Sequence, residues 1–325
     1  MYARGRATRL FGSRDSLVYG TYVPDETTTG VLSGVTRTDY NTIAATGLVT
    51  LSTSGATYEN LNFYGDIVVA APNVTFRNCW FWGGIGHPPN NRGCLTVYAN
   101  GNHNGLELYD CTITAQSPSY YRDGIVGNSY KLFRCNIYNT NDGIGCYSAT
   151  GGSGNCDVEI YGCYVHDLVY WGQDPAHSDG THNDCLQFQG GSHLRIIGNY
   201  FRGYQTASPE STDQPAKGIY AGQCCLIGQV THQPSDILIS GNHFAGAYSQ
   251  LNLVASSTWP VTLDLGPNYF DRDVYENYAP NSDKRWIAIN GSAYLTANGL
   301  YTDQRFSDDN SLLTAGRATG IRVLS

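Results

Sequence analysis

Hydrophobic and polar residues alternate along most of this chain, and the alternation returns again and again in one form. Seven segments superpose: NVTFRNCWF (73–81), GLELYDCTI (105–113), YKLFRCNI (130–137), DVEIYGCYV (157–165), HLRIIGNYF (193–201), DILISGNHF (236–244) and VTLDLGPNYF (261–270), with a weaker copy, ATYENLNF (56–63), ahead of them. A period of two marks a strand with one face buried. Most copies place Cys or Asn just before the final apolar position. That position is Leu61, Cys79, Cys111, Cys135, Cys163, Asn199, Asn242 and Asn268, at spacings of 18, 32, 24, 28, 36, 43 and 26 residues. A second strand follows each copy: GDIVVA (65–70), GCLTVYA (93–99), DGIVG (123–127), DGIGCY (142–147), DCLQFQ (184–189), KGIYAG (217–222), QLNLVA (250–255) and WIAIN (286–290).

Two strand ladders in a fixed order, with the length variation confined to the turns between them, predict a solenoid. A propeller would need a more regular period, and a sandwich would need two-residue hairpin turns that are mostly missing. The expected fold is therefore all-β, a single-stranded right-handed parallel β-helix of about eight coils. It spans residues 41–290, between an N-terminal arm and cap (1–40) and a C-terminal cap or tail (291–325).

This arrangement accounts for the cysteines. Ten in a chain of 325 residues suggest disulfides at first sight. Yet Cys79, Cys111, Cys135 and Cys163 fall on one ladder position of successive coils. Side chains stacked about 4.8 Å apart with parallel Cα–Cβ vectors do not converge to disulfide geometry. They are expected to be buried free thiols acting as small hydrophobes. Asn199, Asn242 and Asn268 continue the column as an expected amide ladder.

Composition narrows the function. Charged residues make up 14%, and the formal net charge is −8, which argues against a nucleic-acid surface. No apolar run approaches the roughly 20 residues of a membrane span. The N-terminus, MYARGRATRLFGSRDS, is basic but carries no apolar stretch of the signal-peptide kind, so export by that route is not expected. Its Arg4, Arg6, Arg9 and Arg14 form an arm that could dock on an acidic neighbour or fray in solvent.

Four stretches carry a family likeness. TTTGVLSGVTRTDY resembles the TGVPAGT-like opening of pectate-lyase-like β-helix proteins from actinobacteria and their phages. PNVTFRNCWFWGG is similar to the NVTIRNS segment that follows there. THNDCLQFQGGSHLRIIGNYF is similar to their HNDAIQ…GG segment, with Cys185 in place of Ala. NYFDRDVYENYAP with LTANGLYTD resembles their closing stretch. The likeness covers roughly residues 28 to 310 and implies the β-helix. That fold hosts lyases, hydrolases, isomerases and non-enzymatic adhesins. Without a signal peptide, the phage branch is the one the resemblance favours. It implies a minor tail protein of the virion, assembled in host cytoplasm beside other phage tail proteins, with a homotrimer as one assembly, and facing a host surface polysaccharide.

Candidate chemistry gathers at the entry to the second strand. Asp184 precedes one rung, Asp123 and Asp142 hold the same place in the coils before it, and Lys217 is expected to hold it in the coil after. Such a row would put adjacent carboxylates about 4.8 Å apart, near the ~5 Å of retaining glycosidases, and Asp123 and Asp184 near the wider inverting separation of roughly 6.5–9.5 Å. Crowded carboxylates share protons, which sets an acid beside a base. NTNDG (139–143) also resembles the NTDG segment of polygalacturonase-type hydrolases. Against this stands a structural reading, in which each Asp caps a turn by accepting backbone N–H groups.

Two long loops, 164–184 and 200–218, should emerge beside this row. They bring Tyr170, Trp171, His177, His182 and Tyr204 as expected sugar-contacting groups. His166, His177, His182 and Asp179 match no defined metal site. No cofactor is expected, calcium being the cation an Asp row would admit. Three functions stand at this point: a tail protein presenting a glycan-contacting surface, a polysaccharide lyase or glycoside hydrolase, and a purely structural tail component.

Overall fold

The computed structural model describes residues 23–42, 47–97, 105–147, 154–216, 218–276, 284–316 and 320–324. The basic arm with Arg4, Arg6, Arg9 and Arg14 lies outside these, as does Lys217. The chain winds as a parallel β-helix with three faces. Sheet 1 has ten parallel strands: Thr38–Asp39, Leu61–Phe63, Trp80–Phe81, Thr112–Thr114, Asn136–Tyr138, Tyr164–His166, Tyr200–Gly203, His243–Gly246, Asn268–Phe270 and Gln304–Phe306. Sheet 2 begins with Leu48–Leu51, Asp66–Val69, Arg92–Val97, Arg122–Gly127 and Ile144–Cys146. It ends with Ser249–Val254, Ile287–Asn290 and Gly320–Leu324. Sheet 3 contains Thr57–Glu59, Thr75–Arg77, Leu106–Tyr109, Tyr130–Phe133, Asn155–Tyr161, Val261–Leu265 and Leu295–Asn298. The long strands Asp184–Ile197 and Gln223–Ser240 run from sheet 2 into sheet 3, joining the two faces. The only helical element among the described residues is a 3-10 turn, Ser292–Tyr294. No helix there is long and apolar enough to cross a membrane.

The parallel solenoid expected from the pattern is present, with two corrections. Among the described residues there are ten coils rather than about eight, and they continue past residue 290 through Leu295–Asn298, Gln304–Phe306 and Gly320–Leu324. More important, each segment such as NVTFRNCWF is two strands, not one. In every copy but VTLDLGPNYF, which turns through Gly266 and Pro267, a sharp corner divides it at a residue in the left-handed region: Asn60, Asn78, Asp110, Arg134, Gly162, Gly198 and Gly241, all with φ between 51° and 68°. Asn, Asp and Gly tolerate that conformation, which is why they recur there. Arg134 is the exception. Its guanidinium is held by both oxygens of the preceding coil's Asp110, at 2.7 and 2.8 Å.

Three inward columns form the core. Sheet 1 stacks Phe63, Phe81, Ile113, Ile137, Val165, Phe201, Phe244, Phe270 and Phe306. Sheet 2 stacks Ile67, Leu95, Ile125, Ile144, Leu186, Cys225, Leu251, Ile287 and Ile321. Sheet 3 stacks Phe76, Leu108, Leu132, Ile160, Ile196, Ile239 and Leu265. Burying one such side chain contributes roughly 1.5–3 kcal/mol, so the columns are what hold coil on coil.

All ten cysteines are buried and free. The amide ladder is present and longer than expected. The Asn199 amide donates to Asn242 Oδ1, Asn242 to Asn268 Oδ1, and Asn268 to Gln304 Oε1, each at 3.0 Å. Backbone N–H groups of Asn199 and Asn242 donate to the same oxygens one coil on. The Cys163 N–H donates to Asn199 Oδ1 at 2.8 Å, so the thiol stack and the amide ladder are one continuous column.

Residues 30–32 cross the outside of the early coils. The Gly30 N–H donates to the Arg134 carbonyl, Val31 N–H to Thr112 Oγ1 and Leu32 N–H to Asn78 Oδ1. A side chain at Gly30, where φ is +73°, would strike Thr112 and Asn136, so this crossing requires glycine.

Candidate active site cleft

The Asp row of the sequence is a real row. Ile125 pairs with Ile144 and Ile144 with Leu186, which sets Asp123, Asp142 and Asp184 in register two residues earlier. Each Asp stands at the mouth of a sheet 2 strand, and the residue after it turns inward. At Gly124 a Cβ would lie 2.6 Å from Ile137 Cγ2, and at Gly143 one would strike Val165 Cγ1 and the Cys185 carbonyl. The glycine of each Asp-Gly pair is thus demanded by the core. In the third coil Cys185 fills the inward place and is fully buried.

The carboxylates also tie the coils together, as the structural reading requires. The Asp142 N–H donates to Asp123 Oδ1 at 3.1 Å, and the Asp184 N–H to Asp142 Oδ1 at 2.8 Å. The Asn141 amide reaches Asp123 Oδ1 at 3.3 Å. Asn183, fully buried, fixes the loop behind. Its amide donates to the Asn141 and Val169 carbonyls at 2.7 and 3.0 Å, and Thr181 Oγ1 donates to its Oδ1 at 3.0 Å.

The fourth place in the row is not Lys217. The strand register pairs Asp184 with Gln223, and the rung there is QCCLIG, not KGIYAG. Residues 218–220 form a turn instead, with Tyr220 bridged to Tyr204. KGIYAG carries the alternation of a rung, but its end lies in the connection ahead of the real strand.

The row floors an open cleft of about 470 Å³, whose walls include Tyr120, Tyr121, Tyr147, Asp174, His177 and His182, with Gln187, Gln189 and Gln223 continuing the floor. Asp184 is only 3% exposed, while Asp123 and Asp142 are partly open to the cleft. Burial raises the Asp123 carboxyl to about 6, against the opposing hydrogen bonds from the Asp142 N–H and the Asn141 amide. Asp142, between two other carboxylates, is pushed well above the usual carboxylate range, first by burial and then by the charges of Asp123 and Asp184. Both shifts favour the protonated form, so the row holds a proton more readily than isolated carboxylates would.

The loop groups separate into two sets. His177 and His182 line the cleft, their rings stacked 4.5 Å apart, bonded to Asp174 and Asp179 at 2.7 and 3.0 Å. Trp171, Tyr170 and Tyr204 do not line it. Trp171 is 1% exposed and packs edge-on to Tyr120 and His87 at 5.7 and 5.0 Å, so it supports the wall and offers no face to a ligand. Tyr170 is buried, with its hydroxyl on the Asp179 carbonyl. Tyr204 stands outside the cleft with its hydroxyl on Asp273. The two long loops do stack on each other, through a parallel pairing of Leu168–Tyr170 with Gln205–Ala207.

His166 is away from the other histidines, on sheet 1, bonded to Asn136 and Asp167. Among the described residues no group of three or more His, Cys, Asp or Glu side chains is placed to hold a metal ion.

Sequence reasoning missed Tyr120, Tyr121, Tyr147, Asn141 and Asn183. For Tyr120, Tyr121 and Asn141 the signal was there in SYYRDG and YNTNDG, where aromatic and amide residues precede the Asp-Gly pairs, short stretches outside the long loops. Comparison of the chain with protein-family models, with curated proteins and with solved structures returns no match.

Proposed function

We propose that this chain is a tail-associated β-helix protein of a phage that engages a host surface polysaccharide in the cleft over Asp123, Asp142 and Asp184. The observation that carries the reading is the cleft itself. Tyrosine rings wall a trough floored by carboxylates and carboxamides, the combination of apolar faces and convergent planar polar groups that suits a sugar ring. The tail setting rests on the resemblance of THNDCLQFQGGSHLRIIGNYF and its companion segments. The test is binding of the intact protein to purified host cell-wall polysaccharide. Retention by wild type, lost in Tyr121→Ala with an unchanged melting midpoint, supports the reading. Equal retention by both, or none by either, removes it.

A second reading, glycan cleavage, is favoured by the upward shifts that burial and crowding impose on Asp123 and Asp142. The raised Asp142 would act as general acid and an ionised neighbour as base or nucleophile. Incubation with the same polysaccharide, followed by assay for reducing ends, separates cleavage from binding alone. A purely structural tail component would show neither retention nor cleavage.

A further inference from the structure

The charge of the cleft narrows what it can take. Four carboxylates border it: Asp123, Asp142, Asp174 and Asp184. No Lys or Arg does so among the described residues. The nearest arginine in sequence, Arg122, follows Tyr121 of the wall but turns away. Its side chain is buried, with Nε and Nη2 on the Asp66 carboxylate at 2.8 and 3.2 Å and Nη1 on the Ser117 carbonyl. Arg92 also faces Asp66, at 3.9 Å. The cations beside the cleft are thus spent on a buried carboxylate outside the lining.

The other donors are the phenols of Tyr120, Tyr121 and Tyr147, the amides of Gln187, Gln189 and Gln223, and the imidazoles of His177 and His182, each already bonded to a carboxylate, Asp174 or Asp179. A second negative charge brought close to an ionised Asp in this partly enclosed cleft carries a repulsive cost. Such a cost would recur along an acidic polymer at every charged ring.

We propose that the cleft selects an uncharged glycan and rejects polyuronates and phosphate-bearing polymers. This rests on the reading of the cleft as a glycan site and says which glycans enter it. It also restricts the chemistry. β-Elimination needs a uronate, whose carboxylate acidifies the neighbouring C–H, and an uncharged sugar lacks that group. Any cleavage here is then hydrolysis. The C1–O bond breaks, the leaving oxygen takes the proton of the carboxylic acid, and water delivers hydroxide to C1 and its proton to a second carboxylate of the row. No redox partner is required.

The experiment is binding of the whole protein to a panel of soluble polymers, at low and at high salt, with and without added calcium. The uncharged members are dextran, mannan and arabinan; the anionic members are polygalacturonate, alginate and a glycerol-phosphate teichoic acid. The expected result is that every polymer bound is uncharged, with affinity changing less than about twofold with salt. Retention of any anionic member at low salt, with or without calcium, overturns the charge selection while leaving the glycan site standing. Retention of no polymer, in a protein that also fails to bind host cell-wall polysaccharide, overturns the underlying glycan reading.

Discussion

Asp123 shows how one residue serves architecture and chemistry together. Its Oδ1 receives the next coil's backbone N–H, yet burial lifts its carboxyl to about 6. A carboxyl raised in the folded state favours folding below its unfolded value and loses that contribution as pH climbs through the folded value. The window is therefore about pH 4 to 6, and Asp142 pulls in the same direction. Asp123→Asn keeps the acceptor oxygen and removes the charge. It should raise the melting midpoint at pH 7 relative to wild type by the equivalent of about 1–3 kcal/mol, and by little at pH 4; an equal effect at both pH values would mean that Asp123 is not held against its charge. Asp184→Asn should leave stability within about 1 kcal/mol of wild type while removing any reducing-end release, because an amide cannot exchange a proton at neutral pH. Robust turnover by that variant would take Asp184 out of the chemistry. The row was legible in the sequence because Asp-Gly marks a strand entry, and Gly143 is held to glycine by Val165 across the core. Whether an aromatic in a loop faces solvent or its own wall is decided by packing partners far away in sequence. That is why Trp171 was misread and Tyr120, which leans on it, was passed over.

At the scale of the element, the corners are the lesson. Alternation revealed the strands on either side, but a single left-handed residue such as Asn78 or Asp110 breaks the direction without breaking the pattern. Two faces therefore looked like one, and the same blindness let KGIYAG pass for a rung. What the corner builds is the Cys–Asn column just after it. Asn242 sits at its centre: Oδ1 accepts from the backbone and amide of Asn199, and Nδ2 donates to the Ile196 and Ser240 carbonyls and to Asn268. Asn242→Leu keeps the bulk and orphans these groups in a dry interior, an expected loss of roughly 3–5 kcal/mol in urea unfolding. A change under 1 kcal/mol would show that water satisfies the column. Cys111→Asp should be at least as damaging, since either a charge or a proton must be accommodated between Cys79 and Cys135; soluble protein with an unchanged midpoint would contradict the burial of the stack.

The whole molecule is a stack without closure. Its coils were undercounted from sequence because the first and last carry short strands with little apolar contrast, such as Thr38–Asp39, Leu295–Asn298 and Gln304–Phe306. Thiol titration of the denatured protein without reductant should count ten, and a count near zero would mean that the cysteines pair after all. The rungs lie across the long axis, and the bonds between them lie along it. Tension applied end to end therefore loads one rung at a time, most of them held by strands only a few residues long, and pulling should unwrap the chain in successive steps. With 18 to 43 residues per coil, each step should release roughly 60 to 150 Å of chain. Compression presses the same rungs and their packed columns together. The molecule is built as a strut rather than a tether, suited to pushing against a surface and poorly suited to hanging from one.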